Sequence, residues 1–262
     1  MMRNLILTVA SIAGLALTEP AAAQTRRSPE RPTIVLVHGA FAESSSWNKV
    51  ITELLADGYP VIAAATPLRS VRGDGAYVAS ILATIKGPVV LVGQSYGGQV
   101  ISAAAEGAPN VKGLVYVSGY ALDVGESATS MSARFPQGTL GQALAPPVRV
   151  SGGNDLYIEP AKYHAQFASD VPADEAAQMA ATQRPVTEAA LQEPVRAAPW
   201  KRIPSWFVYG SLDRNIPATA HAFMAARARA KGTLGVDGAS HVVMISHPEK
   251  VADMIERAAS AQ

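Results

Sequence analysis

The sequence predicts an α/β protein: a mostly parallel sheet of about six strands, helices on both faces, and a helical cap inserted late in the sheet. Three observations carry that reading. Short apolar, β-branched runs alternate with longer stretches of helical spacing. The run at 89–92, Val-Val-Leu-Val, has no polar side, as expected of a strand buried on both faces. The alternation stops over 120–200, a stretch rich in Pro and Ala with few strand-like runs, and then resumes.

Element by element, residues 33–37 form an apolar strand stopped by His38-Gly39. Helical spacing follows over 47–56 (Val50, Ile51, Leu54, Leu55) and stops at Asp57-Gly58. A second strand spans 61–65. Asp74 is expected to cap a helix running through Tyr77, Ile81 and Ile85 to Gly87. After the strand at 89–92 comes a small-residue helix at 97–105, then a buried strand at 114–117. Within the inserted stretch, helices are expected at 160–167 and 173–181. The sheet resumes with a strand at 206–209, a helix at 218–230, a strand near 234–236 and a last helix at 248–259. The division is therefore a core of 24–119 and 201–262, with 120–200 as the cap.

The N-terminus is read separately. Arg3 supplies a basic start, residues 5–17 are an apolar run, and Ala21-Ala22-Ala23 offers a small-residue cleavage site before Gln24. The run is too short to span a membrane as a helix. Residues 1–23 are expected to be a cleaved signal peptide, placing the mature protein in the periplasm or outside the cell; an uncleaved anchor is the alternative. Net charge is +1 with no block of like charges, so nothing points to capture of nucleic acid or an anionic membrane. The chain has no cysteine, which excludes a thiol nucleophile and thiolate metal sites. No H-E-x-x-H, Walker or dinucleotide-binding pattern occurs, and no cofactor or metal is expected.

The chemistry centres on Gly93-Gln94-Ser95-Tyr96-Gly97-Gly98, a G-x-S-x-G pattern between a buried strand and a helix. The pattern alone is short enough to arise by chance; its placement gives it meaning. A serine on so sharp a turn is exposed above the sheet at the positive end of a helix, and flanking glycines let neighbouring backbone approach. A serine hydroxyl needs a base, and the base an orienting acid. His241, in Gly238-Ala239-Ser240-His241 ahead of the last helix, is the base expected here. Asp213, directly after the strand at 206–209, is the preferred acid, with Asp123 as its rival. His38 is read as shaping its loop, and His164, His221 and His247 as structural. One oxyanion donor is expected to be the backbone N–H of Tyr96. The second comes from His38-Gly39-Ala40-Phe41, with Ala40 preferred to Phe41.

Taken together, Leu36-Val37-His38-Gly39-Ala40 with Trp47, Val92 to Gly98, Tyr209-Gly210-Ser211-Leu212-Asp213, and Gly238 to His241 with Pro248 resemble the α/β-hydrolase superfamily across the whole mature chain. Within it they look like the compact, capped esterase branch that includes plant methylesterases and hydroxynitrile lyases. The resemblance implies the α/β-hydrolase fold, with the cap after the strand that follows the nucleophile helix. The short stretch from Gln24 to Thr33 leaves no room for the two antiparallel strands that open larger members. It also implies hydrolysis of carboxylic esters by a Ser-His-Asp triad through an acyl-enzyme. Lyases of this branch carry a lysine directly after the catalytic histidine; this chain has Val242 there, which speaks against cyanide chemistry.

Other readings stay open at this level. A triad-bearing receptor that binds a small molecule is one. Lactone, amide, carbon–carbon or perhydrolase chemistry on the same residues is another. For substrate, the cap offers Tyr120, Met131, Phe135, Tyr157, Tyr163, Phe167 and Trp200, apolar surface suited to a hydrophobic ester. Tyr120 and Phe41 are the expected contact residues.

Overall fold

The computed structural model describes residues 31–261. The expected signal peptide at 1–23 lies outside the described residues. The first half of the core runs β1 (Thr33–Val37), α1 (Asn48–Ala56), β2 (Val61–Ala64), α2 (Val71–Thr84), β3 (Val89–Gln94), α3 (Gly97–Ala104) and β4 (Val111–Val117). The inserted stretch holds α4 (Ala128–Arg134), α5 (Leu140–Ala143), β5 (Val148–Val150), β6 (Gly153–Leu156), α6 (Pro160–Phe167), α7 (Ala173–Thr182), β7 (Val186–Thr187) and α8 (Glu188–Gln192). The core closes with β8 (Ser205–Gly210), α9 (Ala218–Arg227), β9 (Gly232–Val236), α10 (Val243–Ser246) and α11 (Pro248–Ser260).

Six strands form one sheet in the order β2-β1-β3-β4-β8-β9, and every neighbouring pair is parallel. Parallel neighbours cannot be joined by a tight turn, so each needs a crossover, and the helices supply it. All six residues of β3 are buried, which requires cover on both faces of the sheet. Helix α2 packs on α3, and α1 on α11, which also touches β3, β4 and β8. The chain starts at β1, steps outward to β2, then returns past β1 to β3. The order therefore reverses between β1 and β3, and the crevice at the carboxyl ends of these two strands is where an open α/β sheet presents a site.

Three local expectations are corrected. Ser70, not Asp74, caps α2: its side chain accepts from Gly73 N at 2.9 Å, while Asp74 sits inside the helix, buried. The inserted stretch is not helical throughout, since β5, β6 and β7 form a small antiparallel sheet. Its strands are two to four residues long, too short for a period-two pattern to stand out, and β5 is exposed along its length. Gly152 and Gly153, at φ 102° and 144°, make the turn between β5 and β6 that few other residues could adopt. Finally, α10 adds a single helical turn directly after Val242, in four residues too few to carry a helical period.

Candidate active site

The turn between β3 and α3 is built around Ser95. Its φ is +53°, a left-handed conformation that a residue with a Cβ adopts only when its surroundings over-determine it. They do so here. Ser95 N donates to Val117 O at 3.2 Å, and Ser95 O accepts from Gly98 N at 2.9 Å and Tyr120 N at 3.1 Å. The glycines permit the crossing: a Cβ on Gly93 would lie 2.5 Å from Gly97 O, and one on Gly97 would lie 2.5 Å from Val37 O. Both obstacles are backbone atoms, so neither position has room for a side chain.

Asp213 follows β8 and His241 follows β9, and the two loops are brought together at Gly210. A Cβ there would stand 2.2 Å from Ser240 O, so glycine is what lets the histidine loop cross the end of β8. His241 Nδ1 lies 2.7 Å from Asp213 Oδ2, with both side chains fully buried. The other carboxylate oxygen, Oδ1, accepts from Asn215 N at 2.8 Å and Ile216 N at 2.9 Å. Burial alone would push this carboxyl up. The charge of His241 and the hydrogen bonds from His221 and His241 outweigh it and hold Asp213 well below the usual carboxylate range. An ionised carboxylate at Nδ1 puts the proton on that nitrogen and leaves Nε2 with its lone pair. Among the described residues, nothing bonds His241 Nε2, although it is buried. The edge of the imidazole packs against Phe167, ring centroids 5.1 Å apart.

The rival acid is elsewhere engaged. Asp123 pairs with Lys201 at 2.5 Å in a half-exposed position. His221, read from the sequence as structural, instead points its Nε2 at the same Asp213 Oδ2, 3.1 Å away. Nothing in the local pattern around His221 marked it. His38 accepts from Thr66 N through Nε2 at 3.1 Å, and its Nδ1 lies 2.9 Å from Gly39 O, so it braces the loop after β1 as a neutral ring. His164 reaches Val171 O, and His247 lies 3.7 Å from Asp170.

The loop after β1 rests directly on the nucleophile turn, since a Cβ on Gly39 would stand 2.6 Å from Ser95 Cβ. Two of its backbone donors point away from Ser95 to fixed acceptors. Gly39 N donates to Gln94 Oε1 at 3.0 Å, and Phe41 N donates to Arg184 O, from the inserted stretch, at 3.0 Å. Ala40 N, beside Ser95 in the cavity wall, has no acceptor among the described residues, and the same holds for Tyr96 N. Unpaired N–H groups of this kind are what an oxyanion requires, and the Arg184 carbonyl engages Phe41 N but not Ala40 N. Phe41 itself sits at φ +60°, and Tyr163 Oη donates to its carbonyl at 2.8 Å.

A cavity of about 340 Å³ opens over these groups and includes Ala40, Phe41, Ser95, Tyr96 and Tyr120 in its wall. Phe41 and Tyr120 line it, whereas the cap's other aromatic candidates and Met131 do not. The cap wall is formed instead by Leu140, Leu144, Leu156 and Leu191. Two of the aromatics instead join the cap to the core: Phe167 meets Phe41 edge-on, and Tyr163 Oη donates to the Phe41 carbonyl. Among the charged side chains described, Glu188 alone lines the cavity.

Comparison with known proteins agrees with this architecture. Among solved structures, polyneuridine aldehyde esterase superposes with a TM-score of 0.75 at 17% identity, covering 87% of this chain and 98% of its own. A pyrethroid hydrolase from Sphingobium faniae JZ-2 gives 0.70 at 22% identity, covering 88% and 98%. The methylesterase MES16 from Arabidopsis gives 0.72 at 17% identity, covering 88% and 100%. No curated protein sequence matches. The sequence model of the alpha/beta hydrolase family matches residues 34–254, nearly the whole described chain. The six-stranded parallel sheet, its crossover helices and this match together make the chain a member of the alpha/beta hydrolase family.

Proposed function

We propose that the protein is a carboxylesterase-like serine hydrolase in which Ser95 is the nucleophile, His241 the base and Asp213 the orienting acid. The observation that carries this reading is the buried 2.7 Å contact between His241 and Asp213, which leaves Nε2 without a partner and available as a base. In the reaction, Nε2 takes the Ser95 hydroxyl proton as Oγ attacks the ester carbonyl. The carbonyl oxygen becomes an oxyanion held by Ala40 N–H and Tyr96 N–H. Collapse expels the alcohol, which takes the proton from His241, and leaves an acyl-serine. Water then attacks this acyl group with His241 again as base, releasing the acid and restoring Ser95.

The leucine-lined cavity favours a hydrophobic ester, and the neighbours of the same fold include proteins named as esterases. We also infer export to the periplasm or beyond from the N-terminal pattern of residues 1–23. The test is turnover of a chromogenic short-chain ester by the purified protein and by Ser95→Ala. Sustained turnover that disappears in the variant supports the reading. Turnover unchanged in Ser95→Ala removes Ser95 from it, and a single burst with no further product makes the protein a binder.

A further inference from the structure

We infer that His221 is a positioning residue for the base: a permanently neutral imidazole that shares Asp213 Oδ2 with His241 and thereby sets the pH range in which His241 is competent. The catalytic part of this inference rests on the reading above; the arrangement itself does not.

Two imidazoles converge on one oxygen atom, His241 at 2.7 Å and His221 at 3.1 Å. With Asn215 N and Ile216 N on Oδ1, the carboxylate accepts four hydrogen bonds. An ionised carboxylate has about four acceptor positions, so Asp213 is saturated and cannot rotate without losing a bond. His221 is held as firmly. It is fully buried on α9, and its ring stacks on Tyr209 of β8, with centroids 4.8 Å apart and planes 20° from parallel.

The second nitrogen of His221 determines its charge. To donate to Oδ2, Nε2 must carry the proton. Nδ1 is buried and, among the described residues, has no partner. A bare lone pair there costs little, whereas a proton on it would be a buried donor with no acceptor inside a doubly protonated, charged ring. Burial also pushes the imidazole down, against the pull of Asp213. The ionisable groups facing it are Asp213 from the loop after β8, His241 from the loop after β9, and the Tyr209 phenol, which burial pushes up and keeps uncharged. His221 therefore donates without becoming a second cation beside His241.

The consequence is electrostatic. A neutral donor on Oδ2 draws off part of the carboxylate's negative potential, so less of it remains to stabilise the imidazolium of His241. Without His221, that imidazolium would persist to higher pH, and the base would be blocked over a range where it is otherwise free.

The test uses His221→Phe, which keeps an aromatic ring but no donor, and His221→Gln, which restores an N–H donor. Nitrogen-15 NMR of the imidazoles in the wild type reads tautomer and titration without any substrate. His221 is expected to remain neutral with its proton on Nε2 while His241 titrates. In His221→Phe the His241 midpoint should rise, by up to about one pH unit, because part of the potential released at Oδ2 is felt by His241. The acid limb of the kcat/KM profile should rise with it, and His221→Gln should return both toward the wild type. A proton on Nδ1 of His221, its titration in the range of His241, or an unmoved His241 midpoint in His221→Phe overturns the inference. If His221→Phe fails to fold, the wild-type spectra and His221→Gln still decide it. If the NMR shifts occur and no ester is turned over, the positioning role stands and the esterase reading falls.

Discussion

The hydroxyl of Tyr96 donates to Asp74 Oδ2 over 2.9 Å in the core, tying the residue after the nucleophile to the first turns of α2. Burial raises the Asp74 carboxyl, and the hydrogen bond from Tyr96 only partly opposes that. A carboxyl raised by folding holds its proton more tightly in the folded state, so the fold is penalised as pH climbs from the unfolded value through the folded one. Asp74→Asn keeps an acceptor for Tyr96 and removes the charge. It should match or exceed wild-type stability in urea at pH 7, with the advantage vanishing below about pH 3.9. Asp74→Ala strands a buried hydroxyl and should cost about 1–3 kcal/mol.

Asp213 and Asp123 are separated by parallel substitution. Asp213→Asn should lower kcat by about 10⁴-fold, because the amide no longer enforces the tautomer of His241. Asp123→Asn breaks only a half-exposed pair with Lys201 and should leave kcat unchanged, with stability within about 1 kcal/mol of wild type. Steady-state kinetics on one ester ranks them, and equal losses would count against Asp213 as the acid.

The lowered carboxyl of Asp213 has the opposite linkage to Asp74. Its contribution to stability is present above the unfolded value and is lost as pH falls toward the folded one. The stability gap between wild type and Asp213→Asn should therefore be widest near neutrality and shrink progressively below about pH 4. Chemical denaturation at several pH values measures it.

Gly97→Ala places a Cβ 2.5 Å from Val37 O and 2.9 Å from His38 O. Neither backbone atom can yield without moving the end of β1, and with it Ala40. The expected result is a fall in kcat/KM of about 10²-fold or more, since small displacements of reacting groups are that costly. Thermal unfolding recorded alongside separates this from loss of the fold.

Glu188 lines the cavity and accepts from Asn154 Nδ2 at 3.0 Å and from Gln192 Nε2 at 3.4 Å, both neutral donors, and among the described residues no cation pairs with it. Esters bearing a carboxylate should be poorer substrates than neutral isosteres of equal size. Glu188→Gln should narrow that ratio by about tenfold, the effect of one partly screened charge at close range. A ratio unchanged in the variant would place the discrimination elsewhere.

The sequence by itself determined the sheet and the sharp turn at Ser95, and it placed Asp213 and His241 after successive strands. These are local matters: a buried strand shows in four apolar residues, and Ser95 between Gly93 and Gly97 is marked by backbone sterics within one turn. The choice of Asp213 followed from its place after a strand, another local feature. Other decisions depended on contacts between distant segments. Ala40, not Phe41, keeps a free N–H because the Arg184 carbonyl reaches back from the inserted stretch. His221 meets Asp213 because the turn after β8 folds the start of α9 onto the carboxylate, and helical spacing alone made it look structural. Leu140, Leu144, Leu156 and Leu191 line the cavity while Phe167 and Tyr163 turn to Phe41 of the core, an arrangement set by packing between distant segments. Composition showed that apolar surface was available; only packing decided which of it faces the cavity.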